Sequence, residues 1–247
     1  GEAAKRLEQS GVDLIDINMG CPAKKVTGGY SGSALMRDLD HALTLIEATV
    51  NASKCPVTLK MRLGWDSGSI NAPELARRAV DAGVSMITVH GRTRCQFYTG
   101  SADWAAVAAV RDAIGVPLVI NGDIVDHQTA KAALNLSGAD AVMVGRGSYG
   151  QPWLAGMMAA DGQHLETDLT DYIAGHYEDM LAHYGGQIGV RHARKHLGWY
   201  LDRHAAQTPV SQKAELMTST EPRDVVRLIK QINWDASASP RSMKVAA

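Results

Sequence analysis

Five short apolar runs, each followed by a helical segment, constrain the fold of the first 160 residues more than any other feature. The runs have the length and continuity of strands that are buried on both faces. Strands that alternate with helices predict a parallel sheet with right-handed crossovers. The predicted strands cover residues 12–17, 57–62, 86–90, 118–121 and 141–144, and the predicted helices cover residues 38–52, 73–82, 104–114 and 127–136.

This alternation favours an α/β fold of the (β/α)8 TIM-barrel type, and a doubly wound open sheet is the second interpretation. A barrel of this type needs eight βα units, whereas this chain supplies five. The chain also opens inside a predicted helix at residues 2–9, without an initiator Met. We therefore expect about three N-terminal units to be absent from this chain and its barrel to be incomplete.

The pattern becomes helical after residue 160. Apolar stripes predict helices at residues 169–184 and 190–201, and Thr220 is placed to cap a last helix. We therefore predict a barrel domain over residues 1–160 and a small helical bundle over residues 167–234. A linker is expected near residues 160–166, and the Ser- and Ala-rich tail at residues 235–247 is predicted to be disordered.

Composition places limits on the compartment and on the partners. The 247 residues include only three cysteines and no apolar run of membrane-spanning length, so we expect a soluble cytoplasmic monomer without a disulfide framework. The net charge is −1, but residues 186–247 hold 10 Lys and Arg against 5 Asp and Glu. This imbalance suggests an anionic partner, although a chance asymmetry on a solvated face is the alternative.

Polar residues and glycines follow every predicted strand at its carboxyl end, which is where barrels of this type place their active sites. Lys, Arg and His are poorly tolerated in buried strands unless they reach a partner. Five such strand ends together therefore predict a site, whereas any one alone has a structural interpretation, such as a buried cysteine or a paired lysine. The strand ends are Asn18-Met19-Gly20-Cys21-Pro22, Lys60-Met61-Arg62, His90-Gly91-Arg92, Asn121-Gly122-Asp123 and Gly145-Arg146.

The last two strand ends suggest a phosphate-binding ligand. Loops after the seventh and eighth strands form the phosphate sites of many barrels, and Gly145 and Arg146 offer backbone N–H groups and a guanidinium there. Together with Lys60, which could stabilise negative charge on a reduced ring, this arrangement suits flavin mononucleotide (FMN). Many barrels of this type bind the phosphates of other ligands, so other phosphate-containing ligands stay open at this point.

These motifs, in this order, resemble the bacterial tRNA-dihydrouridine synthases, most closely the B subgroup. The resemblance covers essentially the whole chain, because residues 191–200 resemble the family's C-terminal RNA-binding domain. It implies an enzyme that reduces the C5–C6 double bond of particular uridines in tRNA, using FMN that is recharged by NADPH. In such a reaction, hydride passes from flavin N5 to uracil C6.

The resemblance also implies roles for individual residues. Cys21 would be the general acid that protonates C5, because a free thiol is mostly protonated at neutral pH. The expected FMN contacts are Lys60, His90, Asn121, Gly122, Asp123, Gly145 and Arg146. The expected substrate and tRNA contacts are Asn18, Lys24, Arg62, Arg92, Arg191, Arg194 and Lys195.

The chain departs from the family at its N-terminus, where a first flavin-binding loop and a glutamine that touches the flavin have no counterpart. We therefore expect this chain to be inactive if those units are required. Two alternatives stay open: another FMN-dependent barrel reductase of the dihydroorotate dehydrogenase or ene-reductase type, and a non-catalytic RNA-binding derivative of the fold. No metal site is predicted, because His192 and His196 lack further ligands at a suitable spacing.

Overall fold

The computed structural model describes residues 1–159 and 168–235, which belong to two compact units. The first unit runs from Gly1 to Gly145, and the second begins at Arg146. The predicted barrel domain over residues 1–160 and helical bundle over residues 167–234 stay predictions. The predicted linker at 160–166 and the predicted tail beyond residue 235 lie outside the described residues.

A five-stranded parallel sheet forms the centre of the first unit, with the strands in sequential order. The apolar runs are strands because their side chains fill both faces of a buried ladder. The strands are β1 (Ile15–Met19), β2 (Val57–Arg62), β3 (Met86–His90), β4 (Leu118–Asn121) and β5 (Ala141–Met143).

Helices connect the strands, and the last four helices of this unit pack on one another in consecutive pairs. Sequential parallel strands joined by right-handed crossovers place every connecting helix on the same face of the sheet. This is the arrangement of a barrel wall, whereas a doubly wound sheet carries helices on both faces. The helices are α1 (Glu2–Gln9), α2 (Lys24–Thr27), α3 (Leu39–Val50), α4 (Ala72–Asp81), α5 (Ala108–Ala113) and α6 (His127–Ser137), with 3-10 turns at Gly32–Arg37 and Ala105–Val107.

The α/β class and the incomplete barrel with five strands in sequential order are therefore confirmed. The first strand is shifted from its predicted position at 12–17, because the ladder begins where the Ile15 N–H donates to the Pro56 carbonyl at 3.0 Å. Leu14 is 48% exposed and lies outside the ladder. The predicted helix at 104–114 is divided into a 3-10 turn and α5.

The second unit is helical and has its own apolar core. Its helices are α7 (Leu154–Ala159), α8 (Leu169–Tyr184), α9 (Gly186–His204), α10 (Val210–Thr218) and α11 (Pro222–Gln231), and a 3-10 turn covers Arg146–Ser148. The predicted helix at 169–184 is confirmed to the residue. Helix α10 was not predicted, because it has one buried residue, Leu216, and therefore no apolar stripe.

Two close approaches fix the packing of the second unit. A Cβ on Gly189 would lie 2.9 Å from the Leu181 Cα, so α8 and α9 can meet there only at a glycine. Gly150 has a φ of +71°, and a Cβ on it would press into the backbone of Trp199.

The last helix begins after Glu221, one residue later than the predicted Thr220 cap. Among the described residues, no helix combines the length and apolarity needed to cross a membrane.

Candidate active site

One face of the sheet carries a row of polar side chains near the carboxyl ends of its strands. The register pairs Asn18 with Lys60, Arg62 with His90, and His90 with Asn121. Neighbouring residues in a parallel ladder point to the same face, so these five side chains lie side by side. The opposite face is apolar and is covered by the helices: Met19, Leu59, Met61, Val89 and Ile120 are fully buried. The structure thus brings these five predicted residues together.

Cys21 follows β1 in a loop whose backbone is closed by hydrogen bonds. The Cys21 carbonyl accepts from the Ser33 N–H at 3.1 Å and from the Ser33 hydroxyl at 2.8 Å. Gly32 has a φ of +59°, and a Cβ there would lie 2.8 Å from the Cys21 carbonyl oxygen. The loop therefore packs tightly against the cysteine backbone. Cys21 is a free cysteine and is partly exposed to solvent. Sequence reasoning gave no role to Gly32 or Ser33, although a glycine close to the cysteine was a signal for this close approach.

Asn18 and Lys24 lie before and after the cysteine. The Asn18 Oδ1 accepts from the Gly20 N–H at 3.0 Å, and this bond shapes the turn that leads to the thiol. Lys24 is exposed at the start of α2. The predicted contacts of both residues with the substrate stay predictions.

Arg62 joins the cysteine loop to the loop that follows β3. Its Nε donates to the Gly20 carbonyl at 2.9 Å, and its Nη1 donates to the carbonyls of Thr93 at 2.8 Å and Phe97 at 2.9 Å. The residue is 2% exposed. These bonds show that Arg62 holds the two loops together. Its predicted contact with tRNA stays a prediction, and its burial argues against that contact.

Arg92 and Asp123, in the segments that follow β3 and β4, form a bidentate ion pair. The Arg92 Nη1 and Nη2 atoms donate to the two carboxylate oxygens of Asp123 at 2.9 and 2.6 Å. Asp123 also accepts from the Ala102 N–H at 2.7 Å, and it occupies the left-handed region at a φ of +55°. Burial works to raise the pKa of Asp123, but the hydrogen bonds from Arg92 and Ala102 outweigh it, so the pKa lies below its usual value. Both side chains are thus engaged within the protein, and the predicted contacts of Arg92 with tRNA and of Asp123 with FMN stay predictions.

His90 is the least satisfied polar group of the site. Its Nδ1 atom is buried and has no hydrogen-bond partner among the described residues. Burial, assisted by the positive charges of Arg62, Lys60 and Arg92, lowers the pKa of His90 to about 3. The imidazole is therefore neutral at pH 7, and a ligand could meet the hydrogen-bonding capacity of its ring.

Lys60 is a partly buried cation on the same face. Burial lowers its pKa, the charge of Arg62 lowers it further, and Asp16 opposes both effects. A negative group bound beside Lys60 would raise this pKa again, because opposite charges favour the charged form. The position thus suits an anionic ligand.

The remaining predicted cofactor residues lie at the last two strand ends. The Asn121 Nδ2 donates to the Met143 carbonyl at 2.8 Å and links β4 to β5. Gly122 has a φ of +117°, and a Cβ there would lie 3.3 Å from the His90 ring. Gly145 is exposed with open space around its Cα. Arg146 opens the 3-10 turn at the start of the second unit.

Among the described residues, no group of three or more His, Cys, Asp or Glu side chains could hold a metal.

The three predicted tRNA contacts on α9 have different surroundings. Arg191 and Lys195 are exposed and lie one turn apart, and Lys195 rests over the Trp199 ring at 5.0 Å. Arg194 instead donates to the carbonyls of Thr218 and Ser219 at the end of α10, both at 3.2 Å. Arg194 therefore stabilises the bundle, whereas the other two cations face solvent.

Comparisons with known proteins agree with this architecture. The family model of dihydrouridine synthase (Dus) matches residues 1–234. A probable tRNA-dihydrouridine synthase of Rhizobium leguminosarum bv. phaseoli is 59% identical over 224 residues, which cover 91% of this chain and 71% of that protein. A probable tRNA-dihydrouridine synthase of Rhodobacter capsulatus is 55% identical over 93% of this chain and 72% of its own length. The tRNA-dihydrouridine synthase B of Xanthomonas axonopodis pv. citri is 49% identical over 82% of this chain and 63% of its own length. The chain belongs to the dihydrouridine synthase family.

Proposed function

We propose that the protein reduces the C5–C6 double bond of particular uridines in tRNA to give 5,6-dihydrouridine. FMN is the proposed cofactor, NADPH the proposed reductant, and the cytoplasm the proposed compartment of a monomeric enzyme. The proposal is supported by the family and by the names of its relatives. The structural observation that carries it is the partly exposed Cys21, a free cysteine in a tightly bonded loop that follows β1 and its polar residue Asn18.

The residues present fit a flavin. The unpartnered Nδ1 of His90 needs a polar ligand atom, and an unsatisfied buried group of this kind costs about 1–3 kcal/mol. Lys60 adds a cation whose charge a negative ring or phosphate would favour. In the proposal, Lys60, His90 and Asn121 hold the ring, while Gly122 and Gly145 contact the ribityl phosphate. The contact of Arg146 with the cofactor stays a prediction.

Bound FMN would supply a hydride to C6 of the uracil, and NADPH would restore the reduced state. The double bond then needs one proton at C5, and Cys21 is the group proposed to hold it. The thiol gives its proton to C5 and is left as a thiolate, which takes a proton back from solvent. The hydrogen bonds of Ser33 to the Cys21 carbonyl fix the backbone from which the thiol extends, so the proton is presented from a defined position.

The other residues of the site are proposed to position the substrate. Asn18 is proposed to orient the uracil, because it lies next to Lys60 in the ladder and precedes the cysteine turn. Arg62 keeps that turn and the loop after β3 in place. Lys24, Arg191 and Lys195 are proposed contacts with the RNA backbone because they are exposed cations.

The test is formation of dihydrouridine by the full-length protein. Purified protein, NADPH and tRNA lacking dihydrouridine are incubated, and the nucleosides are analysed by mass spectrometry. We expect a yellow protein and a gain of two mass units at particular uridines. A yellow protein that oxidises NADPH only with small-molecule acceptors would support the ene-reductase alternative, and a colourless protein that retains tRNA would support the non-catalytic one.

A further inference from the structure

Two guanidinium groups lie over one tryptophan ring beside the cysteine loop. Trp65 follows β2, and its ring centre lies 4.9 Å from the Cζ of Arg37 and 4.7 Å from the Cζ of Arg94. An aromatic face attracts cations, so it lowers the cost of holding two positive charges close together. Neither arginine has a role in the function proposed above.

Hydrogen bonds hold this pair rigidly against the loop. The Arg94 N–H donates to the Gly64 carbonyl at 2.9 Å, and the Cys95 N–H donates to the Trp65 carbonyl at 2.8 Å. The side chain of Arg94 also reaches the Thr27 hydroxyl at the end of α2, at 3.4 Å. The backbone that carries Trp65 and Arg94 is therefore fixed before any ligand arrives.

Arg37 approaches from the other end of the same loop. It closes the 3-10 turn Gly32–Arg37, and Ser33 in that turn donates to the Cys21 carbonyl. The segment from Cys21 to Arg37 is thus tied to Arg94 at Thr27 and to Trp65 at its end. The two arginines therefore belong to the immediate surroundings of the thiol loop.

The hydrogen-bonding capacity of the cluster is not met within the protein. The Nε of Arg94 is buried and has no partner among the described residues. Among the described residues, neither Arg37 nor Arg94 forms an ion pair with a carboxylate; the paired arginines include Arg6, Arg77, Arg78, Arg92, Arg111 and Arg227. A guanidinium without a carboxylate partner is suited to bind phosphate oxygens through parallel N–H groups.

We propose that Arg37 and Arg94, supported by Trp65, bind the phosphate backbone of the tRNA strand that carries the target uridine. The inference rests on the proposed function, because it takes tRNA as the substrate. A nucleic acid strand fits better than a single anion, since the exposed cations Lys24 and Lys25 and the 78% exposed ring of Tyr30 lie in the same loop. Charges along a backbone path with an aromatic for base stacking are the usual features of single-strand RNA binding.

The test measures binding rather than turnover. The dissociation constant of unmodified tRNA is measured against salt for the full-length protein and for Arg37→Ala, Arg94→Gln and the double variant. The matched control is Arg77→Ala on α4, since Arg77 is an exposed arginine that is already paired with Glu74 and Asp81. We expect each loop variant to bind about tenfold more weakly, near the lower limit for a charge-assisted hydrogen bond. The double variant should lower the salt slope by roughly 1.5, and the control should match wild type.

The outcomes separate this inference from the function on which it rests. A wild-type protein that binds no tRNA would overturn both. A wild-type protein that binds tRNA and forms dihydrouridine, while the double variant keeps its affinity and slope, would overturn the inference alone. If Arg94→Gln disturbs the loop, as a lower unfolding temperature or flavin content would show, Arg37→Ala decides the matter, and binding equal to that of Arg77→Ala would contradict the inference.

Discussion

Two arginines at the barrel strand ends are buried, whereas two cations of α9 are exposed to solvent. Arg62 and Arg92 are each 2% exposed, and their guanidinium groups bond to carbonyls and to Asp123. Arg191 and Lys195 face solvent on α9. All four were predicted to contact tRNA. A cation at a strand end is thus often needed to hold the loops, whereas a cation on an exposed helix face remains available to a partner.

The buried side of this comparison carries the largest expected loss of stability. Arg92→Ala removes both hydrogen bonds to Asp123 and those to the Thr99 and Gly100 carbonyls. We expect the first unit to lose about 3 kcal/mol of unfolding free energy, the lower limit for a broken buried pair, because Asp123 is 33% exposed. Hydrogen exchange at the β3 and β4 amides measures this loss. The exposed counterpart Arg77→Ala should leave the unfolding free energy nearly unchanged, because solvent screens its ion pairs, and equal losses would remove the distinction between the two environments.

Acid should weaken the first unit through His90. Burial and the neighbouring cations lower its pKa to about 3, so the folded state binds no proton there at pH 5, whereas the unfolded state does. The contribution is therefore intact above the unfolded pKa of about 6.5 and is lost as the pH falls. It amounts to about 2 kcal/mol between pH 7 and pH 5.

The measurement is hydrogen exchange at the β3 amides, corrected for the intrinsic effect of pH. His176 and His196 also have pKa values lowered by burial, but they lie in the second unit. His90→Asn should flatten the pH dependence of the first unit between pH 7 and pH 5. An unchanged slope in this variant would show that His90 does not carry the effect.

The exposed side of the comparison predicts a loss of binding without a loss of stability. Arg191→Ala combined with Lys195→Ala should weaken tRNA binding roughly tenfold and lower the salt slope by about 1.5. Arg194→Ala should instead destabilise the second unit, because its guanidinium bonds to the end of α10. Filter binding against salt and thermal unfolding distinguish the two variants, and a salt slope lowered by Arg194→Ala alone would reverse their assignment.

The smallest effect is expected at Cys55. Its thiol donates to the Val12 carbonyl at 3.3 Å, at the entry of β2 and outside the polar row. Cys55→Ala should cost no more than about 1 kcal/mol of unfolding free energy and should leave the reaction with tRNA unchanged. A large loss of the reaction would mean that Cys21 is not the only thiol involved.

The alternation of apolar runs and helices was sufficient to predict the strand order, because sequential parallel strands follow from right-handed crossovers. The helix α10 was missed since one buried residue makes no periodic stripe. The polar row could be predicted because Lys60 lies near the carboxyl end of a buried strand, and His90 and Asn121 end the next two strands. The structural tasks of Arg62, Arg92 and Arg194 depend on loop carbonyls distant in sequence, and a local pattern carries no signal for such contacts.

The central claim is that Cys21 supplies the proton to C5 while other residues hold the flavin. The most direct measurement mixes reduced full-length enzyme with unmodified tRNA in a single turnover and follows flavin absorbance. Cys21→Ala should keep its flavin and its reduction by NADPH, because neither step needs the thiol. Its reoxidation by tRNA should be slower by about 10²–10⁴-fold, the usual contribution of general acid catalysis, whereas Cys55→Ala should match wild type. Reoxidation of Cys21→Ala at the wild-type rate would contradict the account.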